Sequence, residues 1–265
     1  IVMTYPVYWS RYQVLRDFIQ NFYDTVGCDE WPQRFYYDYK DLELSMWVKG
    51  ETFNYEWLLH IGASTKTNNS NEYAGFFGEG FKIASLCAYR DYYWKIQMMS
   101  DDWQIDVTDI EQSIDNIPVK MLAYNLHSVK KKNETKLILK NITKEDYEIF
   151  LAAFDSFYCI DNPIMGKLLW KGPEGAVFLR SSNPINERLP VTRDYGRKGA
   201  VFCGYQMLGT NPFNLVVCLH HYKKEDRERR SLYPFDVIDV FSSIVFNIDA
   251  DCAMIMLEKM RRYWN

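Results

Sequence analysis

The chain has 265 residues, 48% apolar and 25% charged, with 31 Lys and Arg against 35 Asp and Glu. These proportions exclude a globally disordered chain. The formal charge of −4 offers no excess of cations for non-specific nucleic-acid binding. No apolar run approaches the roughly 18–20 residues of a membrane helix, so no membrane association is expected. Six dispersed cysteines without a C-x-x-C pair predict reduced, buried thiols in a cytoplasmic protein and argue against zinc. The opening Ile-Val-Met-Thr-Tyr-Pro carries no basic or cleavage pattern, so no signal peptide is expected.

Residues 9–27 have an amphipathic helical pattern. Val14, Leu15, Phe18, Ile19, Phe22 and Val26 share one face, Asp17, Asn21 and Asp24 lie opposite, and Gly27 ends the helix. Residues 28–41 read as a polar, aromatic loop. Leu42, Leu44, Met46 and Val48 alternate as one side of a strand. A turn at Gly50 and a short helix over 55–61 follow. Residues 62–80, GASTKTNNSNEYAGFFGEG, are small, polar and glycine-rich, which predicts a loop. A helix opens directly after these glycines, over 81–89.

Strands are expected at 92–99, 103–107, 117–129 and 136–139, and a helix at 145–158 whose apolar side holds Tyr147, Phe150, Leu151 and Phe154. Beyond about residue 165 the pattern becomes short strands with glycine turns: 167–170, 176–180, 200–205 and 214–220. Helices over 235–248 and 253–263 close the chain. The Pro-containing stretch near 161–166 suggests two domains, 1–160 and 161–265. One continuous α/β unit with an elaborated C-terminal half fits the pattern equally.

Three pieces carry chemistry, in order: RDFIQNFYDT at 16–25, GASTK at 62–66 with GFFGEGFK at 75–82, and a strand with Glu134-Thr135-Lys136-Leu137. Each alone has an ordinary reading, as an amphipathic helix, a loop and a strand. Their order and spacing resemble the GHKL nucleotide-binding family, named for gyrase, a heat-shock chaperone, histidine kinases and MutL. The first piece resembles the family's R-E-x-x-x-N-A-x-D-A helix without gaps. The second is similar to its lid, and the third to its G-T-x-V strand. The likeness covers residues 10–140 best.

The resemblance implies a two-layer α/β sandwich of the GHKL (Bergerat) type with an elaborated C-terminal α+β half. It also implies an ATP and magnesium site. Asn21 would bind the magnesium through its side-chain oxygen, since this ion keeps several waters and needs few protein ligands. Asp17, one helical turn earlier, would be the catalytic acid-base group that activates water. The family usually has Glu there, and Asp is one methylene shorter. Asp24 completes the stripe. Gly75, Gly78 and Gly80 would let backbone approach the phosphates at a helix N-terminus. Ser64, Thr65 and Lys66 would add a hydroxyl and a charge. Lys82 is a second cation, or else a residue of a solvated helix face.

The base end departs from the family. The D-x-G-x-G pattern falls on Val48-Lys49-Gly50-Glu51-Thr52, where only Gly50 survives. Valine cannot accept the hydrogen bond that the family's Asp takes from adenine. Thr135 remains on the third piece, but Glu134 replaces the preceding Gly.

The implied function is a GHKL-type ATP-binding protein, a slow magnesium-dependent ATPase in which lid closure acts on a protein partner or a second copy. The alternative is a pseudo-ATPase scaffold that has lost adenine recognition. Histidine kinase activity has little support, because no helix with a phospho-accepting His precedes the domain. His220-His221 has no carboxylate or Cys at ligand spacing. The 223–230 charge run reads as solvated surface, with Arg197, Lys198, Arg227 and Arg229 the candidates for a phosphate sensor. Tyr36, Tyr37, Tyr39, Trp47 and Trp57 are read as packing aromatics rather than a stacking platform.

Overall fold

In the computed structural model, residues 1–59, 79–185, 187–189, 199–221, 232 and 234–264 are described. They form a mixed α/β structure of two compact units, one running to Ala153 and one from Phe154. Among the described residues no helix is long and apolar enough to cross a membrane.

The first unit begins with α1 (Arg11–Val26). Ser10 caps it: Gln13 N–H donates to Ser10 Oγ at 3.3 Å, and Ser10 N–H donates to Gln13 Oε1 at 2.9 Å. Two otherwise unmatched donors are thereby satisfied. Gly27, at φ +80°, ends the helix, in a conformation that favours glycine. The predicted apolar face is buried as the periodicity requires.

Strands β1 (Phe35–Lys40), β2 (Glu43–Lys49), β3 (Lys95–Ile114) and β4 (Ile117–Lys140) form an antiparallel sheet in the order β1-β2-β4-β3. The register sets side chains in rows. Tyr37, Met46, Leu137 and Met98 are directly opposite one another, as are Tyr39, Leu44, Leu139 and Ile96. The rows bury Met46, Leu137, Met98, Leu44, Leu139 and Ile96 on one face. The helices α1 and α3 (Gly80–Asp91) pack together, α1 also meeting β1 and β2 and α3 meeting β3. The edge-on pair of Phe18 and Phe81, 5.7 Å apart, joins the two helices. A short α2 (Glu56–Leu59) precedes α3 in the chain. The unit ends in α4 (Lys144–Asp155), whose Phe150 meets Tyr37 edge-on at 5.0 Å. Buried Asp146 of α4 pairs with Arg11 at 2.8 Å.

Several elements differ from the sequence reading. The expected loop at 28–41 contains β1. Leu42 does not join its strand: at φ +63° it forms a two-residue turn with Asp41, at φ +51°, and is 55% exposed. Positive φ at both turn residues is what a tight hairpin between right-twisted strands demands. The strands expected at 92–99 and 103–107 are one strand, β3, interrupted only by irregular pairing at Ser100, Asp101 and Trp103. Those at 117–129 and 136–139 are likewise one, β4.

The second unit holds β5 (Met165–Gly172), β6 (Gly175–Arg180), β7 (Gly199–Cys203), β8 (Gln206–Asn211) and β9 (Leu215–Leu219), in the order β5-β6-β9-β7-β8. Only β7 and β9 are parallel. Helices α5 (Pro234–Val245) and α6 (Ala250–Trp264) complete it. Val240, Phe241, Ile244, Cys252 and Met256 from these helices pack on Val177, Val201, Leu215 and Val217 from the strands. Strand β8 is absent from the sequence reading.

Gly175 has no room for a side chain: a Cβ there would lie 1.9 Å from the carbonyl oxygen of Cys218 on β9. Because the obstacle is backbone, relief requires the strands to part. Gly175→Ala is expected to cost roughly 3 kcal/mol, the upper end of ordinary overpacking. Urea unfolding followed by circular dichroism measures this; an unchanged midpoint would refute the packing described.

Candidate functional site

Helix α1 carries the first group of candidates. Asp17, Asn21 and Asp24 are four and then three residues apart, so they rise along one stripe. The Asp17 side chain is 14% exposed, and its Oδ2 accepts a hydrogen bond from the buried Arg16 guanidinium at 3.0 Å. Neighbours in a helix diverge in direction, so this pair forms only because both side chains bend toward each other. Asn21 Nδ2 donates to the Asp17 carbonyl at 2.9 Å. That bond fixes the amide and leaves Oδ1 without a hydrogen bond among the described residues. Asp24 is buried.

Gly80 brings the second group to the first. A Cβ built on it would lie 2.9 Å from Asp17 Oδ1. The carboxylate therefore lies against bare backbone at the start of α3, where any larger residue would displace it. Glu79 occupies the cap position of α3 and makes no side-chain capping hydrogen bond. The helix dipole and the first N–H groups thus favour negative charge there.

Lys82 lies in the first turn of α3 and is only 4% exposed, which overturns the reading of a solvated helix face. Its Nζ donates to the Trp57 carbonyl of α2 at 3.3 Å. Burial pushes its ammonium below the usual lysine range, against the opposing pull of Glu79. Ser64, Thr65, Lys66, Gly75 and Gly78 lie outside the described residues, as do Arg197, Lys198, Arg227 and Arg229.

The third group centres on one row of the sheet: Phe35, Val48, Thr135 and Ser100, directly opposite one another on β1, β2, β4 and β3. Val48 is 1% exposed and offers no polar atom. The hydroxyls of Ser100 and Thr135 lie 2.8 Å apart. Phe53 N–H donates to Ser100 Oγ at 3.0 Å, and Thr135 Oγ1 donates to the Glu51 carbonyl at 2.8 Å. These two ends fix the proton order between them, because a hydroxyl carries one hydrogen. Phe53 N–H donates to Ser100, Ser100 to Thr135, and Thr135 to Glu51.

The same loop is held at further points. Gly50 N–H, at φ +80°, donates to the Asn133 carbonyl at 2.8 Å. Trp103 Nε1 donates to the Phe53 carbonyl at 2.8 Å. Arg34 donates to Glu51 Oε1 at 2.8 Å. Residues 50–53 are therefore fastened to β3 and β4 and to Arg34.

Sequence reasoning missed Ser100, because only cross-strand register places it beside Thr135. Thr135→Val is expected to cost about 2 kcal/mol, since it keeps the β-branched shape but leaves the Glu51 carbonyl and the Ser100 hydroxyl without their partner. The measurement is chemical denaturation; stability equal to wild type would exclude the relay.

The remaining candidates have packing roles. His220 lies parallel to Tyr205 at 5.0 Å and edge-on to Tyr158 at 5.1 Å. Tyr37 and Tyr39 pack on α4. Tyr36 is 41% exposed and stacks on Trp47, so this pair lies on the open face of the sheet rather than in the core.

No protein-family model matches the chain, and no curated protein matches it.

Proposed function

We propose that the chain is a GHKL-type ATP-binding protein and a slow magnesium-dependent ATPase. One observation carries this reading: the Asp17 carboxylate lies against Gly80 at the start of α3, with Asn21 one turn further along α1. An acid and the first N–H groups of a helix thus meet from two segments that are distant in sequence, with an amide one turn from the acid. Asn21 Oδ1, uncommitted to other described residues, fits a magnesium ligand. The α3 N-terminus fits phosphate oxygens. Magnesium, held by Asn21, would supply positive charge to offset that of the phosphates. Asp17 Oδ1 then accepts a proton from the attacking water, while Arg16 holds Oδ2 in place.

In this reading nucleotide binding reaches a protein partner or a second copy through α3, which packs on α1 and β3. The free thiols of all six cysteines accord with a cytoplasmic setting.

The second reading, a pseudo-ATPase scaffold, is favoured by a different observation. Val48 is buried and has no polar side-chain atom to stand in for the family's adenine-accepting Asp, and the Thr135 hydroxyl hydrogen is committed to the Glu51 carbonyl.

Isothermal titration with ATP, with and without magnesium, tests the first reading, and phosphate release separates it from the second. Magnesium-enhanced binding with slow phosphate release is expected. Absence of ATP binding would exclude the ATPase, and binding without phosphate release would leave the scaffold.

A further inference from the structure

We infer that the outer face of α6 is a contact surface for a second copy of this chain, the two helices meeting antiparallel across a two-fold axis. The inference rests on the surface of the second unit and not on the nucleotide reading. Cys252 and Met256 are buried in the core of that unit, which fixes how α6 is turned about its own axis. Ala250, Met254, Leu257 and Arg261, spaced by four, three and four residues, then share the opposite face, flanked by Asp251 and Glu258. All of them are exposed. A surface helix ordinarily turns polar residues outward. Here the centre of the outer stripe is hydrocarbon, with Met254 68% and Leu257 63% exposed. Phe246, 88% exposed, stands in the link that leads into α6, at the Asp251 end of the stripe.

The order of charge along the stripe points to the occupant. Acid comes first, hydrocarbon next and base last. That order complements itself when a second copy runs the other way. Setting Met254 of one helix against Leu257 of the other brings Arg261 to within one residue of level with the other copy's Asp251. The two-fold axis repeats both contacts. A parallel pair would instead set Asp251 against Asp251 and Arg261 against Arg261, an arrangement that like charges oppose. Arg262 pairs with Glu258, one turn earlier in its own helix. Among the described residues Asp251 and Arg261 have no ion pair within the chain, so these two charges are available to the copy. The stripe covers about three helical turns, which puts the contact at the small end of specific interfaces. A reversible association of about ten micromolar is therefore expected, not a permanent dimer.

Sedimentation equilibrium of the full chain, at concentrations on both sides of that value, tests this. A monomer–dimer equilibrium is expected. Leu257→Gln changes only the exposed face and should weaken it by about tenfold or more. Asp251→Arg and Arg261→Asp should each weaken it by about tenfold, because each sets like charges together at both ends. The chain carrying both reversals should return to within about threefold of wild type, since the pairs re-form with their signs exchanged. A role of these residues in the fold alone would give no such recovery. The reversed charges oppose the helix dipole, so circular dichroism of each variant accompanies the measurement. Leu257→Gln leaves the dipole untouched and carries the test if the reversed helix frays.

A chain that stays monomeric throughout would overturn the inference. So would a dimer that Leu257→Gln leaves unchanged, because the contact would then lie elsewhere. Charge reversals without effect in folded variants, or losses that the double variant does not recover, would overturn the antiparallel arrangement.

Discussion

Replacing Asn21 with Ala is expected to abolish the gain in ATP affinity that magnesium gives the wild-type chain. Asn21 lies in the middle of α1, between Phe18 and Phe22, which are both buried. Among the described residues its side chain makes one hydrogen bond, to the carbonyl of Asp17 in its own helix. That carbonyl already belongs to the helical hydrogen-bond ladder, so losing the amide leaves no orphan. Alanine is also the best helix former, so stability should hold or rise slightly. The loss of an amide oxygen from a site that uses few protein ligands should instead weaken metal-assisted binding by about tenfold or more. Titration of wild type and Asn21→Ala, each with magnesium and with a chelator, gives the four affinities required. An undiminished magnesium effect in the variant would remove Asn21 from the site. A large drop in the denaturation midpoint would show that its role is in the fold.

The readability of the sequence varied with the range of the interactions involved. Helix α1 is legible because its signals are local: the Ser10 cap, an apolar stripe at helical spacing, and a terminal Gly27. Strand β1 is hidden because Phe-Tyr-Tyr-Asp-Tyr-Lys places aromatics on both faces, so the period of two that marks a strand is masked. The joins in β3 and β4 are hidden for another reason. Asp101 at φ +53° and the polar run at 130–134 break the alternation, while the two strands still supply each other's hydrogen bonds. Leucine at position 42 is an unusual turn residue, and its exposed state is dictated by the hairpin rather than by its own preference.

The site shows the same division. The spacing of Asp17, Asn21 and Asp24 gives their shared stripe directly. Burial of Lys82 beneath α2 depends on tertiary packing, and a helical wheel cannot supply it. The relay through Ser100 depends on the register between β3 and β4, so no linear motif encodes it. The contact between Asp17 and Gly80 joins residues far apart in sequence. The resemblance implied that these two segments meet at phosphates; the distance comes from the structure.

That contact gives the second large effect: Gly80→Ala should separate stability from function. Gly80 is the first residue of α3 and does not have a positive φ, so its backbone accepts alanine. In a helix, alanine is favoured over glycine by about 1 kcal/mol. The added methyl, however, falls 2.9 Å from Asp17 Oδ1, closer than ordinary carbon–oxygen contact. The obstacle is the free end of a side chain, so the carboxylate moves and the helices stay in place. Arg16 holds the other oxygen at 3.0 Å, so the displaced carboxylate must turn about that anchor. A shift of roughly half an ångström in a proton-accepting group should lower phosphate release by about tenfold. Urea denaturation and phosphate release on the same preparation make the comparison. An unchanged rate in a normally stable variant would place the reacting water away from Asp17. A binding-only wild type would move the readout to magnesium-ATP affinity. There the bulkier Gly80→Val, whose two γ-methyl groups add to the crowding beside the carboxylate, should weaken binding more than alanine does.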